Sequence, residues 1–195
     1  WTDPLKNDGS SPATRTAMLD ILRFWIARGV DGFRCDMVEL VPPEALGELL
    51  AAVRRDAPQT LFVAEVYGKD NYRKYIEEVG FDLLYDKSGL YDSLRGICAG
   101  SLTARAITWN WQFLGNLQPR MLNFLENHDE QRVASGFFLG SPSRAWAALA
   151  VSMLFNDASF MLYFGQEVGE NAAESGNGRT SIFDITHPAS IGRLY

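Results

Sequence analysis

Helical patterns and short apolar runs alternate along this chain of 195 residues, and that alternation limits the folds it can adopt. Strands that are separated by helices cannot be joined as hairpins, so they pair in parallel as successive βα units. We predict five such strands, at residues 30–36, 61–64, 81–85, 120–125 and 159–164. The sequence therefore predicts an α/β fold with a parallel sheet.

Prolines and a small polar residue mark where the first predicted helices begin. Ser11 is a candidate N-cap with Pro12 at the first helical position, and Pro43 starts the helix between the first two strands. Apolar residues at helical spacing favour a further helix within residues 72–79. For residues 86–111 we predict a mixture of helix and loop.

Composition and length exclude several classes of protein. A chain of this length can bury one sizeable core, so we expect a single domain over residues 1–195. A net charge of −6 argues against a nucleic-acid or anionic-membrane partner, and no run approaches the roughly 20 apolar residues of a membrane span. Cys35 and Cys98 form no zinc or disulfide pattern. No compartment is indicated.

Polar and charged residues collect where the predicted strands end. They are Asp36, Glu65, Asp86, Asp129 and the pair Gln166-Glu167. In α/β folds the active site lies at the carboxyl edge of the parallel strands. We therefore expect a functional site at this edge.

Two of these carboxylates have the surroundings of a catalytic pair. Arg34 and Asp36 share a face of their strand, and an adjacent arginine favours the ionised form of Asp36. The apolar run before Glu65 would instead favour a protonated acid. If the two strands are neighbours, about 4.8 Å apart, their carboxyl groups lie roughly 5 to 6 Å from each other. Ordinary ion pairing remains the alternative interpretation of these residues.

That separation is typical of one reaction type. Retaining glycosidases need about 5–5.5 Å between nucleophile and acid/base, whereas inverting glycosidases need about 6.5–9.5 Å. The predicted pair is therefore compatible with hydrolysis through a covalent intermediate.

Four motifs in the same order resemble those of the α-amylase family, glycoside hydrolase family 13. They are residues 32–36 (GFRCD), 64–66 (AEV), 124–129 (FLENHD) and 163–167 (YFGQE). Each motif alone is weak evidence, but four with the family's order and spacing are specific, and the resemblance covers almost the whole chain.

The resemblance implies a role for each matching residue. Asp36 would be the nucleophile, Glu65 the general acid and base, and Asp129 the residue that favours the distorted, oxocarbenium-like sugar ring. Substrate-binding roles would fall to Arg34, which also orients Asp36, and to Asn127, His128 and Glu167. This chemistry needs no redox cofactor or metal, and we predict neither.

The implied activity is that of a retaining glycoside hydrolase on α-glucosidic bonds of starch, glycogen or maltooligosaccharides. Transglycosylases and isomerases of the same family share all four motifs, so they remain open. The same residues are also compatible with a truncated, non-catalytic carbohydrate-binding chain and with an unrelated α/β enzyme.

The chain also departs from the family. Its five strands match the fourth to eighth strands of a (β/α)8 TIM barrel, so the first three strands, the third-strand motif and the C-terminal β domain have no counterpart. Exposed parallel edges are costly, so we expect a longer chain or a partner to complete the barrel, with an open five-strand domain as the alternative. Residues 37–40 (MVEL) replace a frequent Lys-His pair, which leaves acceptor preference open.

Several other residues have ordinary structural interpretations. We expect Asp82 to cap a loop, Asp86 to lie at the surface, and Trp109 and Trp111 to lie in the core rather than against sugar rings. Residues 176–179 predict a flexible loop at the mouth of the site.

Overall fold

The computed structural model describes residues 11–169 with gaps at Phe137 and Leu139, and the side chain of Pro142 is also left undescribed. The predicted loop at residues 176–179 lies outside this range. The chain divides into two compact units, Trp1–Tyr85 and Asp86–Tyr195. None of the helices within the described part is both long and apolar enough to cross a membrane.

The first unit contains two long helices and three strands. In chain order these are α1 (Pro12–Ile26), β1 (Gly32–Cys35), α2 (Pro43–Asp56), β2 (Leu61–Ala64) and β3 (Leu83–Tyr85), with a π-helical segment at Lys74–Val79. The strands pair in parallel in the order β1-β2-β3. All three predicted strands are present, with β1 and β3 shorter than expected.

Packing at the start of β1 explains its first glycine. A Cβ atom on Gly32 would lie 2.7 Å from the backbone oxygen of Leu61, the residue that faces it in β2. Only glycine permits this close approach of the two strands. Phe62 and Ala64 of β2 are almost completely buried, so the core of this unit lies against the middle strand.

The two helices of this unit differ in burial. On α2, Leu46, Leu50 and Val53 are buried as their helical spacing predicts. On α1 only Leu22 is buried, and Trp25 remains 48% exposed. The apolar repeat of α1 thus forms a helix that is covered on only one narrow face, where Leu22 is buried and Leu19 and Ile26 are half-buried.

Within its described residues, the second unit contains three α-helices and two parallel strands. They are α3 (Asp92–Cys98), α4 (Arg105–Leu114), β4 (Met121–Phe124), α5 (Trp146–Leu154) and β5 (Ser159–Met161), with a further π-helical segment at Lys87–Tyr91. Leu122 faces Ser159 in the pairing of β4 with β5. The rings of Tyr91 and Phe124 stack at 5.0 Å between centroids, which packs the π-helical segment on β4.

Two predictions about single residues in this unit are wrong. Asp86 is completely buried rather than exposed, because Asn110 of α4 donates a hydrogen bond of 2.7 Å to its carboxylate and Gly89 leaves room for it. Trp109 is 76% exposed and Trp111 45% exposed, because they flank the buried face of α4, about 100° to either side of Asn110. In the first unit Asp82, expected to cap a loop, joins β2 to α2, because its Oδ2 accepts from the Phe62 N–H and from Arg54 Nη2, each at 2.8 Å.

Candidate active site

The register of β1 and β2 brings Asp36 and Glu65 side by side. Cys35 faces Ala64 at the end of the paired segment, and the next residue of each strand is the predicted carboxylate. The Glu65 N–H donates to the Cys35 carbonyl at 3.0 Å, so the ladder continues to this point. The pairing that the predicted separation requires is therefore present.

Arg34 contacts both carboxylates. One terminal nitrogen, Nη1, donates to Asp36 Oδ1, and Nη2 lies 2.9 Å from Glu65 Oε1. Burial alone would lower the pKa of Arg34, but its hydrogen bond to Asp36 and the charges of Glu65 and Asp36 outweigh burial and raise that pKa. One permanently charged guanidinium thus joins the two residues.

The two carboxylates nevertheless differ in their surroundings. The side chain of Asp36 is 70% exposed, whereas that of Glu65 is 7% exposed. Glu65 also accepts from the Tyr67 hydroxyl at 3.0 Å and from the Met37 N–H at 3.1 Å. The predicted difference in burial is confirmed, but Glu65 has several donors and is not in a purely apolar environment.

The turn after β1 supplies one of those donors through a strained residue. Met37 has φ +43° and ψ +46°, the left-handed region, and no other non-glycine residue in the described range has a positive φ. Such a conformation costs roughly 1–2 kcal/mol for an ordinary residue. Here it turns the Met37 N–H toward the Glu65 carboxylate.

Between Asp36 and Arg34, the thiol of Cys35 points to the other face of β1. Burial raises the pKa of Cys35 to about 11, against a smaller lowering by Arg34. The thiol is therefore protonated near neutral pH, as expected of a small apolar side chain within a strand.

In the second unit, the loop after β4 carries the next predicted residues. Asn127 Oδ1 accepts from the Asp129 N–H at 2.9 Å and from the Glu130 N–H at 2.8 Å. This contact closes a tight Asx turn. His128 Nε2 lies 3.0 Å from Asp129 Oδ2, and the two side chains are 53% and 29% exposed. Asn127 thus shapes the loop that presents His128 and Asp129.

A buried ion pair brackets the same loop. Glu126 and Arg132 are completely buried, with Arg132 Nε 2.9 Å from Glu126 Oε2. Glu126 also accepts from the Val133 N–H at 2.8 Å, and Arg132 donates to the Phe164 carbonyl at 2.9 Å. The pair therefore joins both ends of the loop to the segment that follows β5.

Glu130 anchors the outer side of this loop. Its carboxylate accepts from the Tyr91 hydroxyl at 2.8 Å and lies 3.3 Å from Lys87 Nζ and 3.5 Å from Arg95 Nη1. Burial, together with the negative charge of Glu130, raises the pKa of Tyr91. The hydroxyl is consequently protonated near neutral pH and remains a donor to Glu130.

Glu167 lies on the short helical turn Gln166–Val168 after β5. It is exposed and borders an apolar groove of about 370 Å³ whose other lining residues include Trp146, Leu149 and Met153. Within the described residues, no group of three or more His, Cys, Asp or Glu side chains is arranged to hold a metal ion.

Sequence reasoning missed the residues that hold these groups in place. These residues are Met37, Glu39 and Tyr67, in the loops that follow β1 and β2. The contacts of Met37 and Glu39 join residues up to 32 positions apart, whereas Tyr67 contacts Glu65 only two positions away. Glu126 lies within the third motif and Arg132 follows it, at equal distance from Asp129, and that symmetry of opposite charges is a signal that could have identified them.

The chain is similar to known proteins over most of its length. The family "Alpha amylase, catalytic domain" matches residues 7–187. An α-glucosidase of Schizosaccharomyces pombe is 25% identical over 203 residues, covering 81% of this chain and 35% of that protein. An α-1,4-glucan:maltose-1-phosphate maltosyltransferase of Mycolicibacterium smegmatis is 29% identical over 82 residues, covering 42% of this chain and 12% of the other.

A solved structure shows the fold. The cyclic α-maltosyl-(1→6)-maltose hydrolase of Arthrobacter globiformis has a TM-score of 0.75 and 24% identity, with coverage of 87% of this chain and 39% of that one. The predicted fold class, a (β/α)8 barrel represented by part of its strands, is confirmed. The chain spans about a third or less of the length of the curated relatives named above.

Proposed function

We propose that this chain, which belongs to the α-amylase catalytic-domain family, carries the catalytic pair of a retaining enzyme for α-glucosidic bonds. The observation that supports the proposal is the contact of one guanidinium, Arg34, with both Asp36 and Glu65 at neighbouring strand ends. Retaining glycosidases require such a close carboxylate pair, separated by about 5–5.5 Å.

The first step forms a covalent intermediate. A carboxylate oxygen of Asp36 bonds to the anomeric carbon while the bond from that carbon to the leaving oxygen breaks, and Glu65 transfers its proton to that oxygen. In the second step water gives a proton to Glu65 and its oxygen attacks the anomeric carbon, which releases Asp36. The net reaction is the addition of one water across one glycosidic bond.

The remaining residues stabilise charge or hold substrate. Arg34 keeps Asp36 ionised and oriented, and Asp129 faces the positive charge that develops on the sugar ring. His128 donates a hydrogen bond to the sugar, while Asn127 and Glu167 are further substrate contacts. For Asn127 the role includes the shape of the loop, since its Oδ1 accepts two backbone N–H groups.

The proposed substrates are α-glucans of the starch or glycogen type and maltooligosaccharides. We further propose that residues 1–195 form one partial catalytic domain and that a longer chain supplies the remaining strands. Apolar side chains exposed on the first and last helices support this, among them Trp25 at 48%, Trp146 at 58% and Leu154 at 80%. Exposed large apolar side chains on a helix are typical of a helix face that another element covers.

Covalent trapping tests the proposed mechanism in the whole protein. A 5-fluoro-α-glucosyl fluoride forms the intermediate quickly and releases it slowly, so we expect an adduct on the peptide that contains Asp36. The Asp36→Asn variant is the matched control and should carry none. An adduct on another residue, or no release of reducing sugar and no transfer from maltooligosaccharides, would contradict the proposal.

Transfer to a sugar acceptor is the second candidate function. The turn after Asp36 leaves acceptor preference open, because Met37 and Glu39 make internal hydrogen bonds there in place of a Lys-His pair on the acceptor side. Chromatography of products formed with and without added maltose separates hydrolysis from transfer. Binding of maltooligosaccharide in calorimetry without any turnover would instead support a non-catalytic carbohydrate-binding chain.

A further inference from the structure

Glu39 lies three residues after Asp36, and its carboxylate holds the loop that follows β2. Oε2 accepts from the Tyr67 N–H at 2.8 Å and from the Gly68 N–H at 3.2 Å, and Oε1 accepts from Asn71 Nδ2 at 2.6 Å. Burial would raise the pKa of Glu39, but these three donors outweigh it and lower that pKa. Glu39 is therefore a carboxylate with its donors in place.

These contacts begin where the backbone ladder ends. The last ladder hydrogen bond of β1 and β2 runs from the Glu65 N–H to the Cys35 carbonyl, and Met37 then turns the chain away through its left-handed conformation. After Met37 the chain segments that follow β1 and β2 diverge, and a carboxylate from each segment accepts a hydrogen bond from the backbone of the other. Glu65 accepts from Met37 of the first segment, and Glu39 accepts from Tyr67 of the second.

Tyr67 connects the two carboxylates. Its backbone N–H is held by Glu39, and its hydroxyl donates to Glu65 Oε1 at 3.0 Å. Gly68 fits this arrangement closely, because a Cβ atom there would lie 2.7 Å from Glu39 Oε1. A change in the position of Glu39 is thereby transmitted to a donor of Glu65 within a few bonds.

We infer that Glu39 is a positioning residue for Glu65, which it holds in place by fixing Tyr67 and the Tyr67–Gly68 backbone. This inference rests on the proposed role of Glu65 as general acid and base. Glu39 itself does not contact the reacting atoms, so its effect is on the two proton transfers of Glu65, to the leaving oxygen and later from water, and leaves the attack by Asp36 in place.

Substrates with different leaving groups separate this role from general structural damage. A maltooligosaccharide needs the proton of Glu65 to release its alcohol, whereas fluoride departs from α-glucosyl fluoride without protonation. General acid–base catalysis contributes about 10²- to 10⁴-fold, so a displaced acid should lose part of that. We expect Glu39→Ala to lower kcat/KM about 10- to 100-fold on maltooligosaccharide and less than about threefold on α-glucosyl fluoride, because kcat/KM reports only the formation of the intermediate. The second step, in which Glu65 is the base, should slow equally with either substrate.

Two further variants sharpen the test. Glu39→Gln keeps an oxygen that can accept from Tyr67 and should retain most of the activity. Gly68→Ala leaves the carboxylate intact but displaces it, so it should show the same preference for the fluoride as Glu39→Ala. The control is Glu48→Gln, which removes a 67% exposed carboxylate paired with Arg15 on the surface of this unit and should match the unsubstituted protein on both substrates.

Amide exchange gives a structural measurement on the same variants. The Tyr67 and Gly68 N–H groups should be protected in the unsubstituted protein and in Glu48→Gln, and should exchange faster in Glu39→Ala. Equal losses of kcat/KM on both substrates, no loss on either, or unchanged exchange would overturn the inference alone. Cleavage of neither substrate by the unsubstituted protein would overturn the proposed function and the inference with it.

Discussion

The strand ends of the first unit and the loop after β4 in the second unit hold their carboxylates by different means. In the first unit Arg34 contacts Asp36 and Glu65 directly, and it is itself 25% exposed. In the second unit the ion pair Glu126–Arg132 is completely buried and holds the loop at both ends, while Asp129 is only presented by it.

This difference separates two kinds of dependence. A group that contacts the candidate catalytic carboxylates should affect the reaction more than the fold. A buried pair should affect the fold first, since losing one partner of a buried ion pair leaves a charge in a low-dielectric interior. Substitutions in the two units test whether that division is real.

The largest expected effect is on stability, from Arg132→Met. Removing the arginine from a completely buried pair should lower the free energy of unfolding by about 3–5 kcal/mol. The measurement is the urea midpoint followed by tryptophan fluorescence. The double variant Glu126→Leu/Arg132→Met removes both charges and should recover part of the loss, because an apolar pair of similar volume is often as stable as the ion pair. A loss below about 1 kcal/mol for the single variant is the value expected of a surface pair and would show that the buried pair is not what stabilises the second unit.

The next effect should appear in activity, from Arg34→Lys. A lysine keeps the charge but offers one ammonium where the guanidinium uses two nitrogens for two carboxylates. A lost hydrogen bond to a charged group is worth about 1.5–3 kcal/mol, so kcat/KM on maltooligosaccharide should fall about 10- to 100-fold. Unfolding measured on the same preparation should change by less than about 1 kcal/mol, because the site is partly exposed. A stability loss as large as that of Arg132→Met, with activity retained, would show that Arg34 supports the fold and not the reaction.

The sequence predicted the strand positions, and with them the placement of Asp36 and Glu65 at neighbouring strand ends, for one physical reason. Apolar runs between helices leave few pairings, and residues such as Asp36 and Glu65 follow the strand ends directly along the chain. The contacts of Glu39 could not be predicted in this way, because they cross between loops 28 to 32 positions apart and depend on the left-handed turn at Met37. Only the three-dimensional path of the backbone determines such contacts.

Burial was harder to predict than secondary structure. Asp86 is buried because Asn110, which lies 24 positions away, supplies a hydrogen bond, and no local pattern indicates that partner. Trp109 is exposed although its residue type usually lies in a core. Composition describes what a side chain prefers, while the neighbouring elements decide whether it is covered.

The smallest expected effect comes from Asp56→Asn on α2, which removes the partner of Arg23. This pair has the same kinds of charge as Glu126–Arg132, at 2.5 Å between Arg23 Nη2 and Asp56 Oδ2, but its side chains are 47% and 53% exposed. Water and salt screen such a pair, so the loss in free energy of unfolding should be about 0–1 kcal/mol and should vanish in 1 M salt, where the Debye length is about 3 Å. The loss caused by Arg132→Met should persist at that salt concentration, because ions do not enter the buried site. If salt instead reduced both losses equally, burial could not be what distinguishes the two units, since screening acts only on charges that solvent reaches.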